Sequence, residues 1–377
     1  MVMEHLYTPI LKWKAAEKGA LNYLTEEQKR NTIPLLEFVC PLELTEKEIK
    51  DGIKSPEEKL ISILSSSIPN DIALCWGDGR LFFADFTLIL PEDLRMEFAR
   101  RFCINATKLR LDFMPVINLS ADSDEYCKHI TNLSMLHSSS RICIRVTDYE
   151  IERVGAMNHR LDSFIESYDY SKNRVTLLID LKEKVSLSTY EKAAKNIYSI
   201  NEIDAFENVI LAGGAFPEDM TSYKFDAEIN SEARNDWIGW STHAKVSPRK
   251  FPSYGDYTIR HPIYNESVLK YTPSTTIKYT LPEKWRFFKG RARSNADYLA
   301  YAQSLRKLPD FKQYGPDFSY GDKYIDEKGI YCAEYLLLQE KNPEKKIPGT
   351  GRTEDWLRAG INHHIAVVVD QLAKLHD

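Results

Sequence analysis

No apolar run in these 377 residues approaches the roughly 20 needed to cross a bilayer as a helix, so no membrane partner is expected. The opening stretch, Met1–Lys14, lacks a charged segment followed by an apolar one and a cleavage site. Cysteine is sparse: the six residues Cys40, Cys75, Cys103, Cys127, Cys143 and Cys332 form no CxxC pair. That spacing supports neither a structural zinc site nor a disulfide framework, and it fits a reducing, cytoplasmic location. Cys40 and Cys143 fall in apolar runs and read as small buried residues. A net charge of −5 gives no general attraction to nucleic acid, so any polyanion site has to be a local patch. Walker A, GxGxxG, GxSxG and DxDxDG patterns are all absent, which removes the common nucleotide, hydrolase and calcium fingerprints. No cofactor and no metal site is assigned, and no internal repeat is visible.

What the chain does have is eight short apolar runs of β type: Tyr7–Lys14, Thr32–Cys40, Leu81–Ile89, Phe113–Leu119, Ile142–Thr147, Val175–Leu181, Asn208–Phe216 and Tyr254–His261. Most are separated by a helix-type stretch. This alternation is the rhythm of a (β/α)8 TIM-type barrel, which places its chemistry at the C-terminal ends of the strands. Helices are expected near Ala15–Arg30, Ser55–Ser67, Pro91–Leu109, Asp124–His137, Glu150–Tyr168 and Ser188–Ile203, with an irregular excursion over Asp71–Arg80. Ser55-Pro56-Glu57-Glu58 carries a cap, a first-turn proline and early acids.

After the eighth run the rhythm breaks. Ile277–Tyr279 and Trp285–Lys289, flanking Pro282-Glu283, read as a hairpin. A helix near Asn295–Leu308 follows, then a loop rich in Gly, Asp and Tyr and a Pro/Gly/Lys-rich segment, Lys341–Arg352. Thr353 reads as the cap of a last amphipathic helix, Glu354–Leu375. The expected organisation is a barrel over residues 1–265 and a C-terminal hairpin-plus-helix extension over 266–377, packed on the barrel.

Polar residues recur near the ends of the runs: Lys12 and Lys14, Glu37, Asp85, Asn118, Arg145, Asp180 and Lys182, and Asp256. A carboxylate inside an apolar strand is costly unless paired or hydrogen-bonded. Glu37, Asp85 and Asp180 are therefore expected to converge at the barrel mouth, balanced by Lys12 and Arg145. Two readings stay open. The three carboxylates are catalytic acids or bases in a polar mouth, or they form an ion-paired network that fixes packing.

Gly213-Gly214, after the seventh run, lies where barrels bind phosphate through backbone N–H groups, and also where a tight turn needs glycine. Lys278, Lys284, Arg286, Lys289, Arg291 and Arg293 interleave with Tyr279, Trp285, Phe287 and Phe288. That mixture suits nucleic acid, or a hairpin with one solvated and one packed face. His363 and His364 are neighbours on a helix, pointing about 100° apart, so packing or capping is favoured over shared metal ligation.

Several stretches together carry a resemblance: Tyr7-x-Pro9-Ile10-Leu11-Lys12-x-Lys14, Pro34-Leu35-Leu36-Glu37, Tyr254-Gly255-Asp256-Tyr257, Ile277-Lys278-Tyr279-Thr280, and Trp356–Ile365 around His363-His364. In this combination the chain resembles the phage-type beta protein family. The resemblance implies a protein of phages and bacteria, found among mobile or phage-conflict genes, and it points to Glu37, Asp256 and His363 as motif-bearing candidates. It brings no catalytic set, so Asp85, Arg145 and Asp180 rest on the barrel argument.

Two functions of different class follow. In the first, the mouth binds a small anionic or phosphorylated ligand and hydrolyses or transfers a group, with Glu37, Asp85 or Asp180 catalytic. The binding set is then Lys12, Lys14, Asn118, Arg145, Gly213, Gly214, Asp256, Lys278, Tyr279 and His363, with the C-terminal extension as a lid. In the second, the barrel is a non-catalytic platform that recognises a phage or host protein partner.

Overall fold

A computed structural model of the chain describes residues 6–136, 140–223, 230–247, 251–264, 274–292, 294–342, 344 and 347–375. The chain forms two compact units. The first takes the chain up to Trp13, Arg30–Gly214 and Asp236–Tyr257; the second takes Lys14–Lys29, Ala215–Asn235 and the chain from Thr258 onward.

The first unit is a closed barrel of eight parallel strands: β1 (Tyr7–Lys12), β2 (Leu35–Glu37), β3 (Phe82–Asp85), β4 (Phe113–Asn118), β5 (Ile142–Thr147), β6 (Val175–Asp180), β7 (Asn208–Gly213) and β9 (Ser253–Asp256), closing on β1. Strand β8 (Asn230–Ala233) belongs to the second unit. Side chains alternate faces along a strand, so one parity fills the barrel and the other meets the helices. The inward set is Ile10, Leu35, Phe83, Met114, Val116, Cys143, Leu178, Ile210, Ala212 and Tyr257. On the outward face Phe38 and Phe86 meet Phe98 and Phe102 of the helix Glu92–Lys108.

The strands are shorter than the apolar runs that announce them. The run Thr32–Cys40 contributes only Leu35–Glu37, and the run to His261 stops at Asp256. The expected excursion over Asp71–Arg80 is shortened to residues 76–80: a helix runs to Cys75, continuing Pro56–Lys59 through a wider turn at Leu60–Leu64. Ala15–Arg30 is two helices, Ala15–Asn22 and Glu26–Arg30. Cys143 is buried as expected, whereas Cys40 is only half-buried.

The second unit is built on a three-stranded antiparallel sheet in which β11 (Lys284–Ala292) pairs with both β10 (Ser274–Thr280) and β8. The hairpin is as expected; its third strand is additional. The loop expected before Lys341 is corrected to two helices, Pro309–Tyr314 and Tyr320–Lys341. The last helix, Thr353–Ala373, begins one residue earlier than expected, with Arg352 at the cap position. Its middle, Ala359–Val369, is buried throughout, as in a helix that belongs to a core. Residues 343, 345 and 346 of the Lys341–Arg352 segment, and Arg293, lie outside the described residues.

Gly321 shows why a glycine-bearing stretch is helical here. A Cβ at this position meets the Ala359 carbonyl oxygen at 2.1 Å and His363 Cβ at 2.9 Å, so only glycine lets the two long helices approach. Gly321→Ala is expected to lower stability by about 1–3 kcal/mol, read as a lower urea midpoint at unchanged slope. A midpoint equal to the parent's would show that the helices separate freely.

Candidate functional site at the strand ends

The register of the barrel brings polar residues to one level. Lys12 lies beside Glu37 and Glu37 beside Asp85 across β1, β2 and β3. Asn118 lies beside Arg145, and Thr147 beside Asp180. Each follows by two residues an apolar member of the inward set: Ile10 precedes Lys12, Leu35 precedes Glu37, Phe83 precedes Asp85, Cys143 precedes Arg145 and Leu178 precedes Asp180. The same alternation that fills the barrel therefore turns these polar side chains inward at its C-terminal end.

Arg145 is the centre of the cluster. Its Nε donates to Asp180 Oδ2 at 3.0 Å. Nη1 donates to Glu37 Oε1 at 3.0 Å and to Asp85 Oδ2 at 2.6 Å. Nη2 donates to Asp180 Oδ2 and to the Tyr257 hydroxyl, both at 2.6 Å. Every guanidinium N–H thus has an acceptor. The Tyr257 hydroxyl in turn donates to Asp180 Oδ2 at 2.7 Å. Burial works against the charge of Arg145, but Tyr257, Asp180, Glu37 and Asp85 outweigh it and hold the guanidinium well above its ordinary pKa. Burial, opposed by Arg145, keeps the Tyr257 phenol protonated far above its usual range.

The remaining carboxylate oxygens divide sharply. Asp85 Oδ1 accepts from the Thr87 backbone N–H at 2.8 Å and from its hydroxyl at 2.5 Å, and Asn118 Nδ2 donates to that hydroxyl at 2.6 Å. Asp180 Oδ1 accepts from the Lys182 backbone N–H at 2.9 Å. Glu37 Oε2 has no hydrogen-bond partner among the described residues, and Lys12 Nζ stands 3.5 Å from it. Lys12 also lies over the Tyr257 ring, 5.4 Å from its centre. Among the described residues no group of three or more His, Cys, Asp or Glu side chains is arranged to hold a metal ion.

The structure thus brings Lys12, Glu37, Asp85, Asn118, Arg145 and Asp180 together and adds Tyr257 and Thr87, which the sequence reading did not single out as site residues. It does not bring in Asp256, which has the other parity on β9 and accepts from the hydroxyls of Tyr7 at 2.6 Å and Tyr254 at 3.0 Å. Gly213 faces Val185 and Tyr190, where a Cβ would stand 2.6 Å from Val185 Cγ1. The Gly214 N–H donates to the Lys182 carbonyl at 2.7 Å, so it is already engaged.

The other candidates belong to the second unit. Lys14 donates to the Tyr264 hydroxyl at 3.3 Å. Tyr279 and His363 are buried and stacked, with ring centres 4.0 Å apart, and both contact Asp322. On the hairpin, Tyr279, Trp285, Phe287 and Phe288 are buried, while Lys284 and Arg291 are exposed. The aromatic residues therefore serve the core, and from Phe287 to Gly290 both faces of β11 are buried, so no purely solvated face is present there. Lys278 lines a cavity, described below.

No helix among the described residues is long and apolar enough to cross a membrane. A family model described as Beta protein matches residues 7–370. No curated protein matches the chain.

Proposed function

The chain belongs to the Beta protein family, and from that premise and the geometry of the strand ends we propose that its barrel binds a small anionic ligand, with Lys12 as the charge partner and Glu37 as the proton acceptor. One observation carries this reading. Asp85 and Asp180 have both oxygens engaged, and Glu37 alone keeps an oxygen without a hydrogen bond, beside a lysine. Glu37 Oε2 is accordingly the atom that takes a proton from a ligand hydroxyl or from an attacking water. Lys12 offsets the ligand's negative charge. Arg145, Asp85, Asp180 and Tyr257 act through Glu37 and are positioning residues.

The test is a thermal-shift screen of the full chain against inorganic phosphate, nucleotides, sugar phosphates and dicarboxylic acids. A ligand at a hundred times its dissociation constant adds about 2.7 kcal/mol, which a melt resolves. The expected result is stabilisation by one class, lost in both Lys12→Ala and Glu37→Gln while their ligand-free melts stay near the parent's. A hit surviving both substitutions, or no hit in any class, would overturn the proposal in favour of a rigid platform for a protein partner.

A further inference from the structure

Strand β10 alternates between two environments. Thr275, Ile277 and Tyr279 are buried, whereas Ser274, Thr276 and Lys278 are half-buried on the opposite face. That second face, with Arg260, Tyr298 and Trp356, lines a cavity of about 270 Å³. Its aromatic wall is a stacked pair, Tyr298 and Trp356, with ring centres 4.8 Å apart and planes 8° from parallel. At about 270 Å³ the space lies just under the roughly 300–1,000 Å³ common for drug-sized ligands, so it suits a smaller one.

Lys278 sits unusually in this wall. A lysine kept for packing extends its ammonium to water. Here Nζ donates to the Ile259 carbonyl at 3.2 Å and stands 4.3 Å from the centre of the Phe216 ring. No carboxylate forms an ion pair with it among the described residues. The charged groups around it are Arg260, which repels its charge, and Glu17, which favours it, with Glu218 and Asp219 also on the cavity lining. Glu17 is itself committed to Arg260 at 3.4 Å. Burial first, and Arg260 second, bring the Lys278 ammonium down to about 7. The shift favours the free amine, the nucleophilic form.

We propose that this cavity is a carbonyl site, in which the Lys278 amine condenses with a small aldehyde or 2-oxo acid whose anionic group is held by Arg260. The nitrogen lone pair forms a bond to the carbonyl carbon, and the carbonyl π pair moves to oxygen, which takes up a proton. The nitrogen gives up a proton, the hydroxyl leaves as water, and a C=N bond remains. One water is released and no oxidant or reductant takes part. The anionic group on Arg260 balances the positive charge of the protonated imine. Every residue involved belongs to the second unit, so this site stands or falls independently of the strand-end cluster.

Glyoxylate, with cyanoborohydride to reduce the imine, is the probe, and peptide mapping by mass spectrometry reads the adduct. In the full chain Lys278 is expected to label at least tenfold faster than exposed Lys284 on the neighbouring strand, with its rate half-maximal near pH 7. Arg260→Gln is expected to slow Lys278 labelling at least tenfold. Lys278→Met should remove the mapped adduct and leave a cooperative melt. Labelling of Lys278 no faster than Lys284, or a half-maximum above pH 9, would overturn the proposal. A rate unchanged in Arg260→Gln would overturn its anion anchor.

Discussion

Arg145→Ala is expected to be the most damaging single substitution in the barrel. The side chain is 4% exposed and the carboxylates it bridges are 6%, 1% and 0% exposed for Glu37, Asp85 and Asp180. Removing one partner of a buried ion pair costs about 3–5 kcal/mol because the other charge is left uncompensated. Here a single guanidinium serves three carboxylates, so the loss sits at or above the top of that range. Against a total stability of about 5–15 kcal/mol, that removes a third or more of what holds the chain folded. Arg145→Lys keeps the charge but not the planar fork of donors, and an intermediate melt is expected. Combining Arg145→Met with Glu37→Gln, Asp85→Asn and Asp180→Asn should recover much of the loss. Urea titrations of the series decide the matter, and an Arg145→Ala midpoint close to the parent's would sink this account of the barrel end.

Much of this centre is legible in the sequence, and the reason is periodicity. A parallel strand covered on both faces reads as a continuous apolar run, so a charged residue inside one is conspicuous. Glu37, Asp85, Arg145 and Asp180 stand out for that reason, and each follows an inward apolar residue by two positions. The same offset also distinguishes Tyr257, which shares the parity of Gly255 on β9, from Asp256, which does not. What periodicity cannot carry is satisfaction. That Asp85 and Asp180 are saturated while Glu37 keeps a buried oxygen without a hydrogen bond depends on Thr87, on the Lys182 backbone and on the orientation of one guanidinium. Those contacts join different strands and loops, and no spacing within one run encodes them.

The second unit was harder to read for a different physical reason. Gly321 and Gly329 look like helix breakers, and a glycine does weaken an isolated helix. In the folded chain they mark where another backbone approaches: Ala359 at Gly321 and Ala302 at Gly329. Tertiary contact therefore outweighs local propensity over Tyr320–Lys341. The Lys278 cavity was equally hidden. Its lining comes from the loop after β7, the chain after β9, β10 and two helices, and only the alternation along β10 has a local signature.

His363→Leu is expected to be the second large loss, confined to the second unit. The imidazole Nδ1 lies 2.8 Å from Asp322 Oδ2 and Nε2 lies 2.9 Å from the Thr280 carbonyl oxygen. Both partners are acceptors: Asp322 already accepts from the Ser319 hydroxyl at 2.6 Å and the Tyr279 hydroxyl at 2.8 Å. Both ring nitrogens therefore face acceptor oxygens in a fully buried setting, one on the Asp322 side chain and one on the Thr280 backbone. Leucine conserves bulk but leaves Asp322 without that donor and the Thr280 carbonyl unpaired, for a loss of about 3–5 kcal/mol. Asp322→Asn removes the carboxylate instead and is expected to be severe by itself. The pair is then examined as a cycle with His363→Leu/Asp322→Asn, which removes the imidazole and the carboxylate together. If the two residues work as an ion pair, the double variant is more stable than the sum of single losses by up to about 3 kcal/mol, and urea midpoints measure the excess. Simple additivity would mean that His363 serves through its stacking on Tyr279 alone. The cycle thus separates a charge role from a packing role for this histidine, where a single substitution removes both at once.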